Sequence, residues 1–560
     1  MLKSEFSEFT FFFIFIDTRY LHNYPVSEQE YKRVVVMQRR KGERRTAKKP
    51  VRVGDNKTGT GEVPKNSNKL AKSLDENIRV LKERFSNDGT VVFRRFQNRY
   101  LPEIKCCIVF IEGMIDFKHI NMQIIEPVME QDLRQLSSSS QNFLVDIKDK
   151  VLPVNDIEES EDLEKILQSI CYGNTAFLLD GYDTALLIES KGWEVRAITE
   201  PESEKVIRGP REGFTEHIIS NISLIRRRIK NPNIKFRFMQ LGKQTNTTIC
   251  ITYIEGIALE SVLTELERRL NSIDIDGILD SGYIQELIED APLSTFPTVG
   301  YTERPDVVVA RMLEGRIAVI VDGSPFVLTV PHILVENIQV NEDYYDHFIF
   351  GSFNRFLRAA ASIATISIPA VYLALVTFHQ EMIPTQLLIT LSASLEGVPL
   401  PTSLSLIIML IVFDILRQAG ARMPSAVGQT VNIVGTLVLG QAAVEAHLVS
   451  APVIIVTAIS GITTLVVPTL IESIVLLRLF LLILSSFLGL YGYFIGIIMV
   501  YLHLMSLRSF GVPYMMSVTR IRDHDGQDAW IRAPWWSMTL RPKIIGAKNL
   551  VRQVSNHNRR

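Results

Sequence analysis

The side chains that most favour a chemical role lie in an apolar stretch, residues 428–446, which mixes small residues with polar ones. Small residues let helices approach closely and polar side chains avoid lipid, so a helix of this composition belongs inside a bundle. Asn432, Thr436 and Leu439 fall near one face at helical spacing. This face suits a path for water or ions, in which Leu439 forms a constriction that gates by dewetting. A tightly packed central helix without a path is the alternative.

The set of candidate pore and gate residues extends to the neighbours of this face. Its members are Asn432, Thr436, Val438, Leu439, Gln441 and Glu445. Val438 points away from the face at helical spacing, which makes it a weaker gate candidate than Leu439.

Acidic side chains in or beside the apolar runs form a second group of candidates. Asp414, Glu445 and Glu472 lie within or at the ends of predicted membrane spans. Charged groups are costly inside a membrane and are therefore functional candidates by default. The alternative is an interfacial position or an ion pair. The cationic residues available for such a pair are Arg417, Arg422 and Arg478.

Motifs of soluble enzymes and of cofactor sites are missing from the sequence. It has no phosphate-binding loop, zinc-protease motif, nucleophile elbow or dinucleotide fingerprint. The four cysteines lack zinc-ligand spacing and are interpreted as buried thiols. Asp274, Asp276 and Asp280 match a calcium loop only in part, so a turn with a helix cap fits them better. We therefore expect no enzymatic activity, no metal and no cofactor.

Charge gives no argument for a nucleic-acid partner. Lys and Arg total 60 against 61 for Asp and Glu, so the formal net charge is -1. The run from Arg226 to Arg228 is interpreted as a solvated helix face, because a lone charge run is weak evidence for nucleic-acid binding. We expect no nucleic-acid partner.

The elements that must position the candidate residues separate into two classes by charge. Residues 355–507 hold ten charged side chains in 153 positions, whereas the remainder is about 27% charged, close to the soluble average of about 25%. A membrane-crossing helix needs about 20 apolar residues. The charge-free runs are 359–380, 397–413, 423–444, 446–471 and 479–507. The sequence therefore predicts a helical transmembrane domain over 355–507 with four to six spans.

Basic residues near the span ends predict the orientation of this domain. Arg417 and Arg422 place the loop after the second run inside, and the basic tail, residues 508–560, should also stay inside. Without a signal peptide, the N-terminal region is expected in the cytoplasm. Both ends inside require an even number of spans, whereas five runs are visible. Either 479–507 is a tight hairpin or 382–400 is re-entrant.

The region before the membrane is predicted to contain two mixed α/β units, residues 70–200 and 213–345. Each unit combines β-rich runs with amphipathic helices, although no long repeat of fixed period is visible. Each also ends in a predicted hairpin whose Asp-Gly turn suits positive φ. The preceding residues, 1–69, are basic and are expected to be a disordered extension.

The predicted architecture is therefore α+β. A large two-part mixed α/β cytosolic region precedes an α-helical polytopic membrane domain and a basic cytosolic tail.

Three stretches resemble signatures of the GerA family of spore germination proteins. The first runs from Val206 to Phe214 and contains Arg208, Gly209, Pro210, Arg211, Glu212 and Gly213. The second joins Arg422-Met423-Pro424 to Val427-Gly428-Gln429, and the third runs from Gly435 to Ala446. Their order and spacing match across about residues 75–545. The sequence is thus similar to the A subunits of GerA-type germinant receptors.

The resemblance implies a receptor subunit in the inner membrane of an endospore that senses nutrients together with B and C subunits. It further implies a large cytosolic N-terminal domain and a membrane domain that forms a homo-oligomer and acts as a nutrient-gated ion channel. The nutrient itself is thought to sit in the B subunit. The resemblance carries over no catalytic residue.

Two functions of different classes remain open. In the first, nutrient binding shifts the membrane domain of a receptor subunit toward an open state, which requires that the ligand binds that state better. In the alternative, the protein is a secondary transporter of a small nutrient or ion, for which paired broken segments and internal symmetry are expected. A scaffold whose cytosolic units recruit other proteins is a weaker third possibility.

Overall fold

The computed structural model describes most of the chain after residue 68. The described residues are 69–134, 143–154, 156–192, 201, 203–423, 438, 440–516, 528–542, 545 and 549–552. They form two mixed α/β subdomains followed by apolar helices, which confirms the predicted fold class. Nearly all of the basic N-terminal extension lies outside the described residues. Helices of eight residues or more are numbered in chain order.

The first subdomain is an antiparallel five-stranded sheet between two helical layers. The strands are β1 (Val91–Gln97), β2 (Lys105–Ile111), β3 (Ile157–Ser160), β4 (Thr175–Leu179) and β5 (Ala185–Ile188), in the spatial order β1-β2-β4-β5-β3. Helices α1 (Leu74–Arg84) and α2 (Leu163–Cys171) cover one face. The helical segments on the other face are Phe117–Ile120, Asn121–Ile125, Glu126–Glu130, Phe143–Asp146 and Ile147–Val151.

Strand β2 shows why this sheet is apolar on both faces. Successive side chains of a strand point to opposite sides. Ile108 and Phe110 pack in one core, whereas Cys107 and Val109 pack in the other. Because both faces are covered, the strand is a continuous hydrophobic run although its sheet is antiparallel. All four cysteines are buried, as predicted, and burial raises the pKa of Cys106 to about 12.

The second subdomain has the same architecture. Its strands are β6 (Ile234–Leu241), β7 (Thr247–Ile254), β8 (Gly300–Thr302), β9 (Ile317–Val321) and β10 (Val327–Val330), in the spatial order β6-β7-β9-β10-β8. Helices α3 (Ile218–Arg228) and α6 (Pro305–Glu314) pack on one face, and α4 (Glu260–Asn271) and α5 (Ser281–Ile288) on the other. Asp280 caps α5 by accepting from the backbone N of Gly282 at 3.0 Å, as the turn-and-cap interpretation predicted.

The two subdomains share a capping contact that joins their last hairpin to their first helix. Asp180 Oδ1 accepts a hydrogen bond from Leu74 N at the start of α1, at 3.0 Å. Asp322 Oδ1 accepts one from Ile218 N at the start of α3, at 3.2 Å. Each aspartate therefore satisfies a helix N–H that has no partner within the helix. The predicted Asp-Gly hairpins are confirmed, and each one caps a helix.

The two subdomains share a second contact, which indicates that they are repeats of one structural unit. The side-chain amide of Asn77 accepts a hydrogen bond from the backbone N–H of Ala71 at 2.8 Å and donates one to the carbonyl of Ala71 at 2.6 Å. Asn221 holds the same two groups of Thr215, at 2.8 and 2.5 Å. With the identical strand order, these contacts show a structural repeat that sequence periodicity alone did not make visible.

The arginine run is not a solvated helix face, and the prediction for its first residue is wrong. Arg226 is fully buried and pairs with Asp88 of the first subdomain, whose side chain is also fully buried. Arg226 also donates to Thr90 Oγ1 at 2.9 Å. The ion pair therefore fastens α3 to the loop before β1, so that one charge in the run holds the two subdomains together.

Among the described residues, five numbered helices follow the second subdomain. They are α7 (Phe348–Thr377), α8 (Thr385–Leu395), α9 (Thr402–Ala421), α10 (Ala451–Thr464) and α11 (Ile471–Ser506). Three helical stretches are long and apolar enough to cross a membrane, namely Phe348–Thr377, Thr402–Ala421 and Pro468–Ser506. Helix α8 has eleven residues and is about 16 Å long, which is too short to cross. The count of four to six spans stays a prediction.

Helix α11 consists of two arms that fold back on each other at Gly489. This glycine has φ 60° and ψ -139°, outside helical geometry. A Cβ on Gly496 would collide with Leu481, although the two residues would be about 22 Å apart in a straight helix. The hairpin alternative predicted for 479–507 therefore describes this region.

The helices can be placed between a domain side, next to the second subdomain, and a far side. Leu470, Ile474 and Leu507 pack with Phe296 of the second subdomain, whereas Gly489 meets Phe378 at the end of α7. The base of the hairpin is therefore on the domain side and its tip on the far side.

Helices α9 and α10 run in the same direction. Leu406 and Val453 share a core with Leu373 in the far half of α7, and both helices then descend toward the domain side. The end of α9 and the start of α10 consequently lie toward opposite sides of the bundle.

Candidate functional site at the junction with the membrane helices

The predicted pore residues fall only partly within the described residues. Val438 is 56% exposed, and the exposed Gln441 donates from Nε2 to Glu445 Oε1 at 2.9 Å. The other three lie outside the described residues: Asn432, Thr436 and Leu439. The assignment of all six to a pore stays a prediction.

Asp414 forms an ion pair in the middle of the helix bundle. Its Oδ2 accepts from Arg478 Nη2 of α11 at 2.5 Å, and Arg417 Nε lies 3.6 Å from its Oδ1. Arg478 Nη1 also donates to Ser460 Oγ of α10 at 3.1 Å, and Ser460 donates to the carbonyl of Thr365 in α7 at 3.0 Å. Four helices are thus linked through one buried arginine, and the ion-pair alternative describes Asp414.

Glu472 lies at a different place from Asp414. It is exposed in the first turn of α11, and the neighbouring Ser473 donates to the carbonyl of Thr295 in the second subdomain. The structure therefore puts Glu472 at the domain side of the bundle, apart from the Asp414 ion pair, and its interfacial position stays a prediction.

The first signature stretch contacts the segment that leads into α7. Glu342 Oε1 accepts from the backbone N–H groups of Ile207 and Arg208, at 3.1 Å each. Gly209 has φ +136°, and a Cβ on it would lie 2.7 Å from Cδ2 of Tyr345. Glycine is needed here for its backbone conformation and for the close approach of the ring.

A buried carboxylate holds the other side of this contact. The carbonyl of Pro210 accepts from Arg304 Nη2 at 2.9 Å, and the same nitrogen donates to Asp306 Oδ2 at 2.9 Å. Asp306 Oδ2 also accepts from Tyr345 Oη at 2.6 Å and from Asn341 Nδ2 at 3.1 Å. Burial raises the pKa of Asp306, but Arg304 and Tyr345 outweigh it, so the pKa lies below its ordinary value.

The end of the signature is fixed to helix α3. Glu212 accepts from Arg227 Nη2 and from Arg228 Nη2, at 2.7 Å each. Gly213 is buried, whereas Arg211 is exposed. These contacts explain the remaining two arginines of the run, which anchor the signature to the second subdomain.

The base of α7 is held by a network of charges. Arg355 is 1% exposed and donates to Asp343 Oδ2 at 3.0 Å and to Asp528 Oδ1 at 2.8 Å. Arg358, one turn further along α7, also pairs with Asp343. Because Asp343 follows Glu342 directly, this network continues the contact made by the signature.

A second buried cluster lies beneath this network. Arg316 donates to Glu336 Oε1 from Nε at 3.1 Å and from Nη2 at 2.8 Å. Arg311 Nε lies 3.3 Å and His332 Nδ1 3.2 Å from Glu336 Oε2. Burial raises the pKa of Glu336, but the contacts with Arg316, His332 and Arg311 outweigh it and hold the pKa well below the ordinary range. The cluster therefore joins α6 and the start of β9 to residues 331–347, the linker that leads into α7.

A cavity of about 310 Å³ opens between these two networks. It is lined by residues of the second subdomain, the linker, α7 and the loop before α11, and by Trp535 and Arg552 of the C-terminal part of the chain. The described residues contain no group of three or more His, Cys, Asp or Glu that could hold a metal ion. The cavity therefore lies at the junction between the second subdomain and the apolar helices.

The sequence matches the Bacillus/Clostridium GerA spore germination protein family over residues 79–544. This protein belongs to the GerA family. The match spans both subdomains and the apolar helices, so the family resemblance seen in the motifs is confirmed.

Curated relatives of this GerA-family protein cover most of the chain. Spore germination protein KA of Bacillus subtilis (strain 168) is 42% identical over 86% of this chain and 89% of its own length. Spore germination protein A1 of the same organism is 37% identical over 77% of this chain and 88% of its own length.

A solved structure is also similar in sequence. The N-terminal domain of the A subunit of the Bacillus megaterium spore germinant receptor GerK3 is 33% identical, covering 48% of this chain and 97% of that domain, with a TM-score of 0.38.

In this GerA-family chain the sequence identified the signature stretch but did not identify the residues that the signature and its neighbours contact. Asp343, Arg355 and Glu336 were not candidates, because each sits in a polar linker or at a helix end with no local motif. A usable signal was the presence of two arginines, Arg355 and Arg358, just before a charge-free run of α7. Such residues need partners, and Asp343 supplies one for both.

Proposed function

We propose that this protein is the A subunit of a germinant receptor of the spore inner membrane and that it acts with B and C subunits. The observation that carries the proposal is the family match over residues 79–544, which includes the soluble subdomains and the membrane helices. Relatives named spore germination proteins cover most of the chain at 33–42% identity. In this proposal the protein is not an enzyme, and its N-terminal subdomains lie in the cytoplasm.

The channel mechanism assigns the pore to a homo-oligomer of the membrane domain. Nutrient held by a partner subunit shifts the helices toward an open state, and the junction couples this shift to the soluble subdomains. A shift from 1:99 to 99:1 requires that the ligand favours the open state by about 10⁴-fold, or about 5.5 kcal/mol. Support comes from a series of contacts that begins at the exposed bond between Ile207 and Glu342 and continues through the buried contacts of Asp343 with α7 and of Thr365 and Arg478 with Ser460.

The pore assignment is tested by giving the proposed constriction a smaller side chain. We expect Leu439→Ala to raise germination without nutrient, because a smaller side chain no longer expels water from the narrow point. Val438→Ala is the matched control, since Val438 points away from the assigned face. Spores carrying each variant are compared for release of ions with and without nutrient. If both variants behave like the unaltered protein, the pore face is assigned wrongly.

One observation would also suit the transporter alternative, namely that several of the helices are discontinuous or short. The break at Gly489 and the short helices α8 and α10 are features that alternating-access transporters also use. Reconstituted receptor subunits distinguish the two functions. Ion current that depends on nutrient, without nutrient uptake in fixed proportion, supports the channel. Uptake in fixed proportion to ion movement supports the transporter.

A further inference from the structure

The first eleven residues of α7 project beyond the part that matches a bilayer. The charge-free portion, residues 359–377, is about 28 Å long and fits a hydrocarbon core of about 30 Å. Residues 348–358 extend the helix by about 16 Å toward the domain side. This part of the helix therefore extends beyond the length that a hydrocarbon core would cover.

The projecting part carries an apolar stripe on its surface. Ile349, Phe353 and Phe356 are exposed and share one helical face, on which Ile363 continues the stripe into the charge-free portion. The opposite face is buried, because Gly351 and Arg355 pack against the linker. The stripe is thus continuous with the exposed surface of the charge-free portion.

The C-terminal segment, residues 528–536, places tryptophans beside the projecting part of α7. Its residue Arg532 exchanges backbone hydrogen bonds with Ser352 Oγ of α7, at 3.1 and 3.3 Å. Next to these hydrogen bonds, Ile531 is 68% and Trp536 is 75% exposed. Three of the four tryptophans of the chain stand in seven consecutive residues: Trp530, Trp535 and Trp536.

These observations point to one partner. Tryptophan is enriched where a membrane meets water, because its ring is apolar and its N–H is polar. Contacts between membrane helices instead use small residues, whereas this stripe consists of large aromatic and aliphatic ones. In water, a contiguous patch of this kind would be a liability.

We propose that residues 530–536 and the exposed stripe on residues 349–356 form an interfacial anchor that rests in the headgroup layer of the lipid surface. The C-terminal segment is then a membrane-bound collar around the base of α7 and not a free tail. Because Asp528 pairs with Arg355, the collar couples the position of this helix to the lipid surface. The anchor does not depend on whether the protein is a channel or a transporter.

The test measures where Trp536 lies. The full-length chain is reconstituted into lipid vesicles with Trp536 as its one tryptophan, after Trp193→Phe, Trp530→Phe and Trp535→Phe. Emission is measured with lipids brominated near the headgroup, with lipids brominated near the chain end, and with acrylamide in the water. We expect the shallow bromolipid to reduce emission at least about twofold more than the deep one, as for an interfacial tryptophan.

The control uses an aromatic residue of the first subdomain, Tyr100, which is 38% exposed where Trp536 is 75% exposed. Tyr100→Trp, in a chain whose own four tryptophans are phenylalanine, should be quenched by acrylamide and not by either bromolipid. Two results for Trp536 overturn the proposal. Strong quenching by acrylamide alone means a free tail in water. Protection from all three quenchers means that a second copy or another protein covers the segment. A circular-dichroism melt of each variant checks that the substitutions leave the fold intact.

Discussion

Replacing Arg478 by leucine is expected to destabilise the helix bundle by about 3–5 kcal/mol, the usual cost of removing one partner from a buried ion pair. Arg478 is 2% exposed, and its replacement removes the 2.5 Å contact with Asp414 and the 3.1 Å bond to Ser460. A hydrogen bond that involves a charged group contributes about 1.5–3 kcal/mol. Two such bonds therefore account for the expected loss.

Two further variants separate the ion pair from a simple loss of charge. Arg417→Leu removes a cation that lies 3.6 Å from the same carboxylate but is partly exposed, so its cost should stay below about 1 kcal/mol. The double variant Asp414→Leu with Arg478→Leu removes both charges of the buried pair and leaves only the partly exposed Arg417 without its neighbouring carboxylate. It should recover to within about 1 kcal/mol of the unaltered chain, since apolar replacement of a buried pair is often neutral.

The assay is equilibrium unfolding of the full-length chain in mixed micelles, with a rising fraction of denaturing detergent and helix content as the signal. With the single variant Asp414→Leu added, the double-mutant cycle gives the coupling energy between Asp414 and Arg478, expected at about 2 kcal/mol or more, because the double variant should cost at least that much less than Arg478→Leu alone. The reasoning is refuted if Arg478→Leu costs no more than Arg417→Leu. It is also refuted if the double variant is as unstable as the single one.

Three other substitutions test the hairpin, the contact between the subdomains, and the signature. Gly489→Ala should lower stability by about 1–3 kcal/mol in a thermal melt, because it strains the backbone and meets His379 Cε1 at 2.8 Å. Arg226→Ala should cost about 3–5 kcal/mol, measured by hydrogen exchange of the two subdomains, because it leaves Asp88 buried and unpaired. Gly209→Ala should lower the germination response to nutrient about tenfold, equivalent to about 1.4 kcal/mol, because it displaces Tyr345.

Each of these has a matched control. Gly440→Ala meets Ile454 Cγ2 at an ordinary 3.5 Å and should be tolerated. Arg95→Ala removes an exposed ion pair with Asp75 and should change stability by less than about 1 kcal/mol. Gly256→Ala imposes backbone strain at φ +81° with no atom within 4 Å, so it should leave the nutrient response intact. A control that matches its partner variant in effect would contradict the corresponding contact.

Much of the soluble fold was predictable because its signals are local. The Asp-Gly turns marked both hairpins, since glycine reaches positive φ without strain. The continuous apolar runs marked β2, β7 and β9, because both faces of each sheet are covered by helices. The repeat was not visible, because it resides in strand order and in contacts such as Asp180 with α1, which join residues far apart in sequence.

The candidate site was predictable only as a set of separate pieces. The signature stretch stood out as a motif, and the charge of Asp414 stood out in an apolar run. Their partners did not, because Arg478 is 64 residues from Asp414 and Glu342 is 134 residues from Arg208. A local pattern cannot specify which distant charge will meet another.

The sequence by itself determined the membership in the GerA family, the division into a charged region and an apolar one, and the type of most elements. The family membership follows from the signature stretches, and the other two properties follow from composition and periodicity, all of which a chain carries before it folds. Only the tertiary structure decided that Arg226 is a buried clamp, that α11 reverses at Gly489, and that the signature rests on Tyr345 beside α7. Burial and pairing of a charge depend on which elements pack around it, and that is a property of the folded whole.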